Sequence, residues 1–526
     1  MEGHLRNRRA TGDPGGVTTV HESPARRAFA AIARRGWHWG VRLVALAVAI
    51  VLALATGFTL YAVEVLPDLG PWHVETLTGE FSARRDADLD FAGYLALEER
   101  LFAEARLRIA QFPPDGNGWQ VSRYAPESAM QRLADGAPYN RSFRLTHPTP
   151  LGGALLVHGL TDSPYSMLAL AEVLHQRGFE VTVLRLPGHG TLPSMQVGMS
   201  LEDWSAAVAI AARDVAARTP RDKPFYIGGY SAGATLAMTY TLETLGDSTR
   251  RRPDRVLLIS PAVSLPRVAA LASALDLFSF LPFRPLEKVH WQSVLPEYDP
   301  YKFNSFAVNA TRQVNRATVR LQQRLDAAQR AGQLAALPPV ITWHSVIDST
   351  VGALGTVDLL YTRLEAPRHT LVLFDVNRYR ALAQVQTPGT QAVIDNAIGV
   401  RAGGGTQTSR QYQLDVVGNS RPDSLDVVMR SYAPGQTQPI VRALPLAWPG
   451  NVVSLGHVAL PFPPDDPIYG FLPGSGAHGL PSLGSWLLRG ESGAIQLPLG
   501  SLTRLRSNPF WSLIEEQVQA LVDAER

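Results

Sequence analysis

Phe225-Tyr226-Ile227-Gly228-Gly229-Tyr230-Ser231-Ala232-Gly233-Ala234 decides how this chain folds. Phe225 to Ile227 are apolar and follow Pro224, the pattern of a short buried strand. Ala232 to Leu245 read as a helix, with small residues first and Gly246 as its stop. Between them lies G-x-S-x-G, centred on Ser231. A serine at such a strand-to-helix turn occupies strained backbone and lifts its hydroxyl above the sheet. The flanking glycines are needed because a Cβ there would collide with neighbouring backbone. The helix start behind the serine turns backbone N–H groups toward any anion developing in front of it. The competing reading is a plain structural turn. The strand before it and the helix after it favour a nucleophile.

Outward from this turn, strand and helix patterns alternate from Ser142 onward. Strands are expected at Ala154–Val157, Val181–Leu186, Phe225–Ile227, Val256–Ile259, Val340–Trp343 and Leu371–Phe374. Helices are expected at Ser166–Gln176 and Leu201–Ala217, the latter capped by Ser200 with Asp203 three residues on. This is the pattern of an α/β fold, a mostly parallel sheet with helices on both faces. Two stretches break the rhythm and are expected to be insertions at the sheet's rim. One is 261–338, with apolar Leu277–Phe283 and amphipathic Ala317–Ala336. The other is 377–450, rich in Gly and Gln around 401–408 and strand-like at Gln411–Val417 and Leu425–Tyr432.

The 526 residues leave room for more than one domain, and 45% hydrophobic content supplies a large core. A net charge of +3, with no basic stripe interleaved with aromatics, gives no sign of nucleic-acid binding. The absence of cysteine excludes disulfides, thiolate catalysis and cysteine metal sites. Residues 1–36 are polar and rich in Arg, Gly and Pro, as in a disordered tail. Leu43 to Val63 carry no charge, which is long enough for one transmembrane helix within 37–66. The arginines on its N-terminal side predict a cytoplasmic N-terminus and an extracytoplasmic main domain, periplasmic in a bacterium. Two readings compete with this one: a cleaved signal peptide, with Ala53-Leu54-Ala55 as its site, and a buried core helix. Residues 67–140, with a helix over Phe91–Phe112, read as a membrane-proximal segment packed on a domain spanning 141–526.

A serine hydroxyl is a poor nucleophile at neutral pH and needs a base, with a third group orienting that base. After such a turn the chain order is Ser, acid, His. Asp348 ends the short loop after the strand Val340–Trp343, at the sheet edge where sites collect. The other reading of Asp348 is a cap for the helix Val351–Leu364, and Asp375 after the next strand is the second candidate acid. His457, beside Gly456 in a late loop, is the expected base. His478, with no strand before it, reads as a surface residue. The oxyanion is expected to meet the N–H groups of Ala232 and Leu160. His158 is expected to fix the turn before Leu160, and Gly188-His189-Gly190 to form a tight loop beneath the site.

Together, VHGLTDSPYSM at 157–167, LPGHG at 186–190, GYSAG at 229–233, Asp348 and GHVALPF at 456–462 resemble the serine α/β-hydrolases, in the monoacylglycerol lipase and carboxylesterase branch. The resemblance implies the α/β-hydrolase fold, a Ser231-Asp348-His457 triad, ester hydrolysis through an acyl-enzyme without metal or cofactor, and a cap shaping the acyl pocket. Residues 261–338 occupy the place of that cap, and Leu277, Phe278, Phe280, Leu281 and Phe283 are expected to line the pocket. The sequence departs from the family where 377–450 separates the last core strand from His457. Alternatives are an acyltransferase or thioesterase on envelope lipids, and an inactive membrane-tethered binding protein.

Overall fold

The computed structural model describes residues 37–51, 53, 56, 57, 64, 67–113, 122–126, 128–136, 138–264, 284–364, 366–385, 390–399, 410–472, 482–485 and 503–525. Met1–Leu66 and Pro67–Arg526 are two separate units. In the first, residues 37–51 are helical with exposed side chains. At 1.5 Å per residue that run is roughly 22 Å long. Among the described residues no helix is long and apolar enough to cross a membrane. The expected tail over 1–36 and part of the expected span lie outside the described residues, as do Leu277, Phe278, Phe280, Leu281, Phe283, His478 and the stretch 401–408.

The second unit is built on a ten-stranded sheet. Its strands are β1 (Phe143–Leu145), β2 (Gly152–Val157), β3 (Phe179–Leu184), β4 (Phe225–Tyr230) and β5 (Arg255–Ile259). They continue, after the two-stranded β6 (Trp291–Ser293) and β7 (Phe306–Ala307) of the cap, with β8 (Val340–Ser345), β9 (Thr370–Phe374), β10 (Gln413–Asn419), β11 (Asp426–Tyr432) and β12 (Ile440–Ala447). The spatial order is β1-β3-β2-β4-β5-β8-β9-β10-β11-β12. From β3 to β10 neighbours run parallel, while β1, β11 and β12 are antiparallel additions at the two edges.

Strand alternation explains the two layers of core. On β2, Leu155 and Val157 join the face covered by helices Leu201–Arg218, Ala232–Thr244 and Val308–Arg330. Ala154 and Leu156 join the opposite face with Leu513 and Ile514 of the helix Trp511–Asp523. Leu201–Arg218 starts as its sequence predicts, with Ser200 Oγ accepting from Asp203 N at 3.1 Å. The stretch 377–450 is built into the sheet's rim. β10 pairs in parallel with β9 and carries β11 and β12, lengthening the sheet. The reason is visible in Leu414, Val416 and Val417, which are buried on both faces like a core strand.

The N-terminal segment of this unit is tied in by a buried ion network. Arg185, fully buried, donates to Glu98 Oε1 at 2.7 Å, to Glu80 Oε1 at 2.9 Å and to the His189 carbonyl at 2.9 Å. Glu80 Oε2 in turn accepts from Gly188 N at 2.8 Å. Burial pushes Glu98 up, and the guanidinium only partly opposes it. At Glu80 burial acts in the same direction, but Arg185 and the backbone donors outweigh it and hold that carboxyl low. Helix Phe91–Ile109 and the loop at 80 therefore brace the Gly188-His189-Gly190 turn.

In the cap, Glu297 is fully buried and accepts from Asn304 N at 2.9 Å and Ser305 N at 2.8 Å. Burial pushes its carboxyl from 4.5 up to about 7, although both N–H groups pull the other way. Between those two values the folded chain holds more protons than the unfolded one, so this group's contribution to stability falls as pH rises through that window. Glu297→Gln removes the titration. The melting temperature of the native protein minus that of the variant should be largest near pH 5 and shrink toward pH 8. A pH-independent difference would contradict the assignment.

Candidate functional site

The site lies at the C-terminal ends of the parallel strands. β4 ends at Tyr230, and Ser231 follows with φ 54° and ψ −118°, one of three non-glycine residues at positive φ among those described. That backbone is costly for a residue with a Cβ and needs over-determined surroundings. Here Ser231 N donates to Ile259 O at 2.9 Å, and its carbonyl accepts from Ala262 N and Thr235 N, both at 3.2 Å. The helix Ala232–Thr244 begins at the next residue, so Ala232 N–H has no intrahelical acceptor.

The two motif glycines are required by contact. A Cβ on Gly233 would lie 2.1 Å from Val157 O, and one on Gly229 would lie 2.5 Å from Gly233 C. Both clashes are with backbone and cannot be relieved by a rotamer change. Gly233→Ala is expected to destabilise by about 3 kcal/mol, the upper end of overpacking effects. Chemical denaturation reads this, and a midpoint equal to that of the native protein would contradict it.

Asp348 and His457, 109 residues apart, meet: His457 Nδ1 donates to Asp348 Oδ2 at 2.6 Å, with exposures of 6% and 4%. The carboxylate's other oxygen, Oδ1, accepts from Thr350 N and Val351 N, both at 2.9 Å. Burial by itself would raise Asp348. The His457 imidazole, with His344 Nε2 at 3.4 Å from Oδ2, outweighs burial and holds the carboxyl well below its ordinary value. Asp348 does not cap a helix. The next one, Ala353–Leu359, is capped at Gly352, later and shorter than Val351–Leu364. Asp375 is committed elsewhere, in an ion pair with Arg378, whose Nη2 reaches Oδ1 at 2.8 Å.

Tyr230 links this pair to Ser231. Its hydroxyl donates to His457 O at 3.3 Å and its ring packs at 5.0 Å from the imidazole. The His457 loop is held over the sheet by Ser345 Oγ, which donates to Leu455 O at 2.9 Å, and by Asn377 N, which donates to Val453 O at 2.8 Å.

On the other side of β4, the chain leaving β2 turns at Gly159, where a Cβ would sit 2.9 Å from the Tyr230 ring, and at Thr161 with φ 64°. Leu160, between them, is half-buried. His158 is fully buried; its Nδ1 donates to Gly159 O at 2.7 Å and its Nε2 accepts from Leu186 N at 3.0 Å. Burial holds it well below its ordinary value, so it stays neutral and fixes the turn. Gly188 and Gly190 take φ of 83° and 77°, the tight loop expected of that sequence.

Sequence reading missed three partners at this site. Tyr230 stands at the variable position of G-x-S-x-G. Lys302 Nζ lies 3.2 Å from Asp162 Oδ1, and Phe303 N donates to Thr161 O at 2.8 Å, so the cap is fastened to the Leu160 loop. No local pattern marks such pairs. Among the described residues no group of three or more His, Asp or Glu is placed to hold a metal ion.

Residues 154–395 match the alpha/beta hydrolase family. The chain is 34% identical over 120 residues to a thermostable monoacylglycerol lipase from Bacillus sp. (strain H-257), covering 22% of this chain and 44% of that protein. It thus spans less than half the length of that curated relative. Solved structures similar to it include the lipolytic enzymes LipS and LipT, derived from a metagenome, at 20% identity and a TM-score of 0.36 over 45% of this chain and 87% of theirs. A monoacylglycerol lipase from Paleococcus ferrophilus follows at 20% identity and a TM-score of 0.33, over 45% of this chain and 89% of its own.

Proposed function

We propose that this chain, whose residues 154–395 match the alpha/beta hydrolase family, cleaves carboxylic esters of lipid or monoacylglycerol type through an acyl-enzyme on Ser231. The observation that carries the reading is the buried His457–Asp348 pair at 2.6 Å, joined through Tyr230 to a serine at φ 54°. Ser231 Oγ attacks the ester carbonyl while His457 Nε2 takes its proton. Asp348 orients the imidazole and stabilises its charged form. The N–H groups of Leu160 and Ala232 hold the oxyanion. The protonated His457 gives its proton to the departing alkoxide, and a water deprotonated by His457 then releases the acid. The relative from Bacillus, named a monoacylglycerol lipase, supports a lipid-like ester.

The uncharged run Leu43–Val63 and the arginines before it support a single-pass anchor with the N-terminus in the cytoplasm and the hydrolase outside it. One experiment addresses both points. A fluorophosphonate probe applied to fractionated cells should label a full-length band in the membrane pellet. A folded native protein that does not label would favour the inactive binding protein. A labelled band that is soluble and shortened would favour a cleaved signal peptide.

A further inference from the structure

We propose that the cavity beside His457 binds an oxyanion carried by the ester substrate, a carboxylate or a phosphate, and that Arg504 reads it; this rests on the hydrolase reading above. The cavity measures about 290 Å³ and is lined by Asp162, from the Leu160 loop, and Val458, next to His457. It therefore lies between the expected oxyanion loop and the expected base. That volume lies at the small end of the range for ligand pockets.

Its charged lining is unbalanced: Lys302, Arg504 and Arg506 face Asp162 and Asp299. Lys302 is taken by Asp162 at 3.2 Å. Asp299 Oδ1 accepts from Tyr469 OH at 2.6 Å and from the N–H groups of Tyr301 and Lys302 at 3.0 Å. Its Oδ2 lies 3.9 Å from Arg506 Nη1, and Arg506 Nη2 donates to Tyr298 OH at 3.1 Å. Arg504 is different. It donates from Nη2 to Thr350 Oγ1 at 3.0 Å and has no carboxylate in ion-pairing reach among the described residues. A guanidinium carries five N–H donors, so a half-buried one held by a neutral hydroxyl keeps donors for an arriving anion.

Arg504 is also placed against the His457–Asp348 pair. Thr350 stands two residues after Asp348. A Cβ on Gly456, the residue before His457, would lie 3.4 Å from Arg504 Nε. Arg504 thus packs on the loops that carry both members of the His457–Asp348 pair. A neutral monoacylglycerol gains nothing from an uncompensated cation there, whereas an anionic substituent forms a charge-assisted, bidentate contact.

The test uses the full chain, native and with Arg504→Ala or Arg504→Lys, on two matched pairs of esters. The first pair is nitrophenyl hydrogen glutarate and its methyl ester. The second is a monoacylglycerol phosphate and the monoacylglycerol of the same acyl chain. In the native protein kcat/KM should favour the anionic member, and rising ionic strength should erode that preference. In Arg504→Ala the anionic-to-neutral ratio should fall about tenfold, mainly through KM, with part recovered by lysine. The pair with the larger effect identifies carboxylate or phosphate as the recognised group. Native protein without a charge preference in either pair, or an equal loss for both members in Arg504→Ala, overturns the proposal. Fluorophosphonate labelling run alongside separates the two failures. A native protein that labels but ignores charge overturns only this inference, and one that does not label overturns the hydrolase reading and this with it.

Discussion

Ser231→Ala is expected to lower kcat on ester substrates by on the order of 10⁴ to 10⁶ and to abolish fluorophosphonate labelling, with the fold intact. The size follows from what the hydroxyl does. Without Oγ no acyl-enzyme forms, and only water attack assisted by the remaining donors is left. The fold survives because the features of this turn reside in the backbone. Ser231 N and O keep their bonds to Ile259, Ala262 and Thr235, and the glycine contacts are unchanged. Removing the hydroxyl leaves a methyl group at a site already 7% exposed. Turnover of chromogenic esters and circular dichroism together read this. A variant with activity within tenfold of the native protein would exclude Ser231 as the nucleophile.

Asp348→Asn is expected to lower kcat by about 10⁴ while leaving KM close to native. The reason is the pair of backbone donors on Oδ1. Thr350 N and Val351 N, both at 2.9 Å, require an acceptor there, so the asparagine carbonyl must face them. Its amide NH₂ is then turned to His457 Nδ1, where the carboxylate Oδ2 had accepted at 2.6 Å. A donor facing Nδ1 forces the proton onto Nε2, the nitrogen that must take the serine proton, and the imidazole becomes the wrong tautomer. The steric frame is unchanged, so substrate binding persists. Steady-state kinetics at several pH values test this. A variant that keeps kcat would return the acid's role to Asp375, although Asp375 is bound to Arg378.

Much of this site could be read along the chain because it is local. The apolar run into Gly229, the glycines around Ser231 and the helix-forming residues after it specify a strand, a strained turn and a helix within twenty residues. The order Ser231, Asp348, His457 follows from the succession of strands and loops, and β4 and β8 lie where their apolar runs predicted, extended by up to three residues.

Other features depend on pairs that no local pattern marks. Asp348 and Asp375 both follow core strands, and only the tertiary structure separates them, giving one to His457 and the other to Arg378. The 377–450 stretch reads as an insertion at the rim because it breaks the strand–helix rhythm. Its pairing with β9 makes it part of the sheet, and Asn377 and Ser345 then hold the returning loop so that His457 reaches Asp348. The same holds for Glu98 with Arg185, Lys302 with Asp162, and Arg504 beside Gly456. Each joins charged residues far apart in sequence, and a charge in a sequence carries no mark of its partner. Periodicity and backbone sterics act over a few residues and are written in the chain, whereas ion pairing and cavity lining arise only when distant loops are brought together by a common sheet.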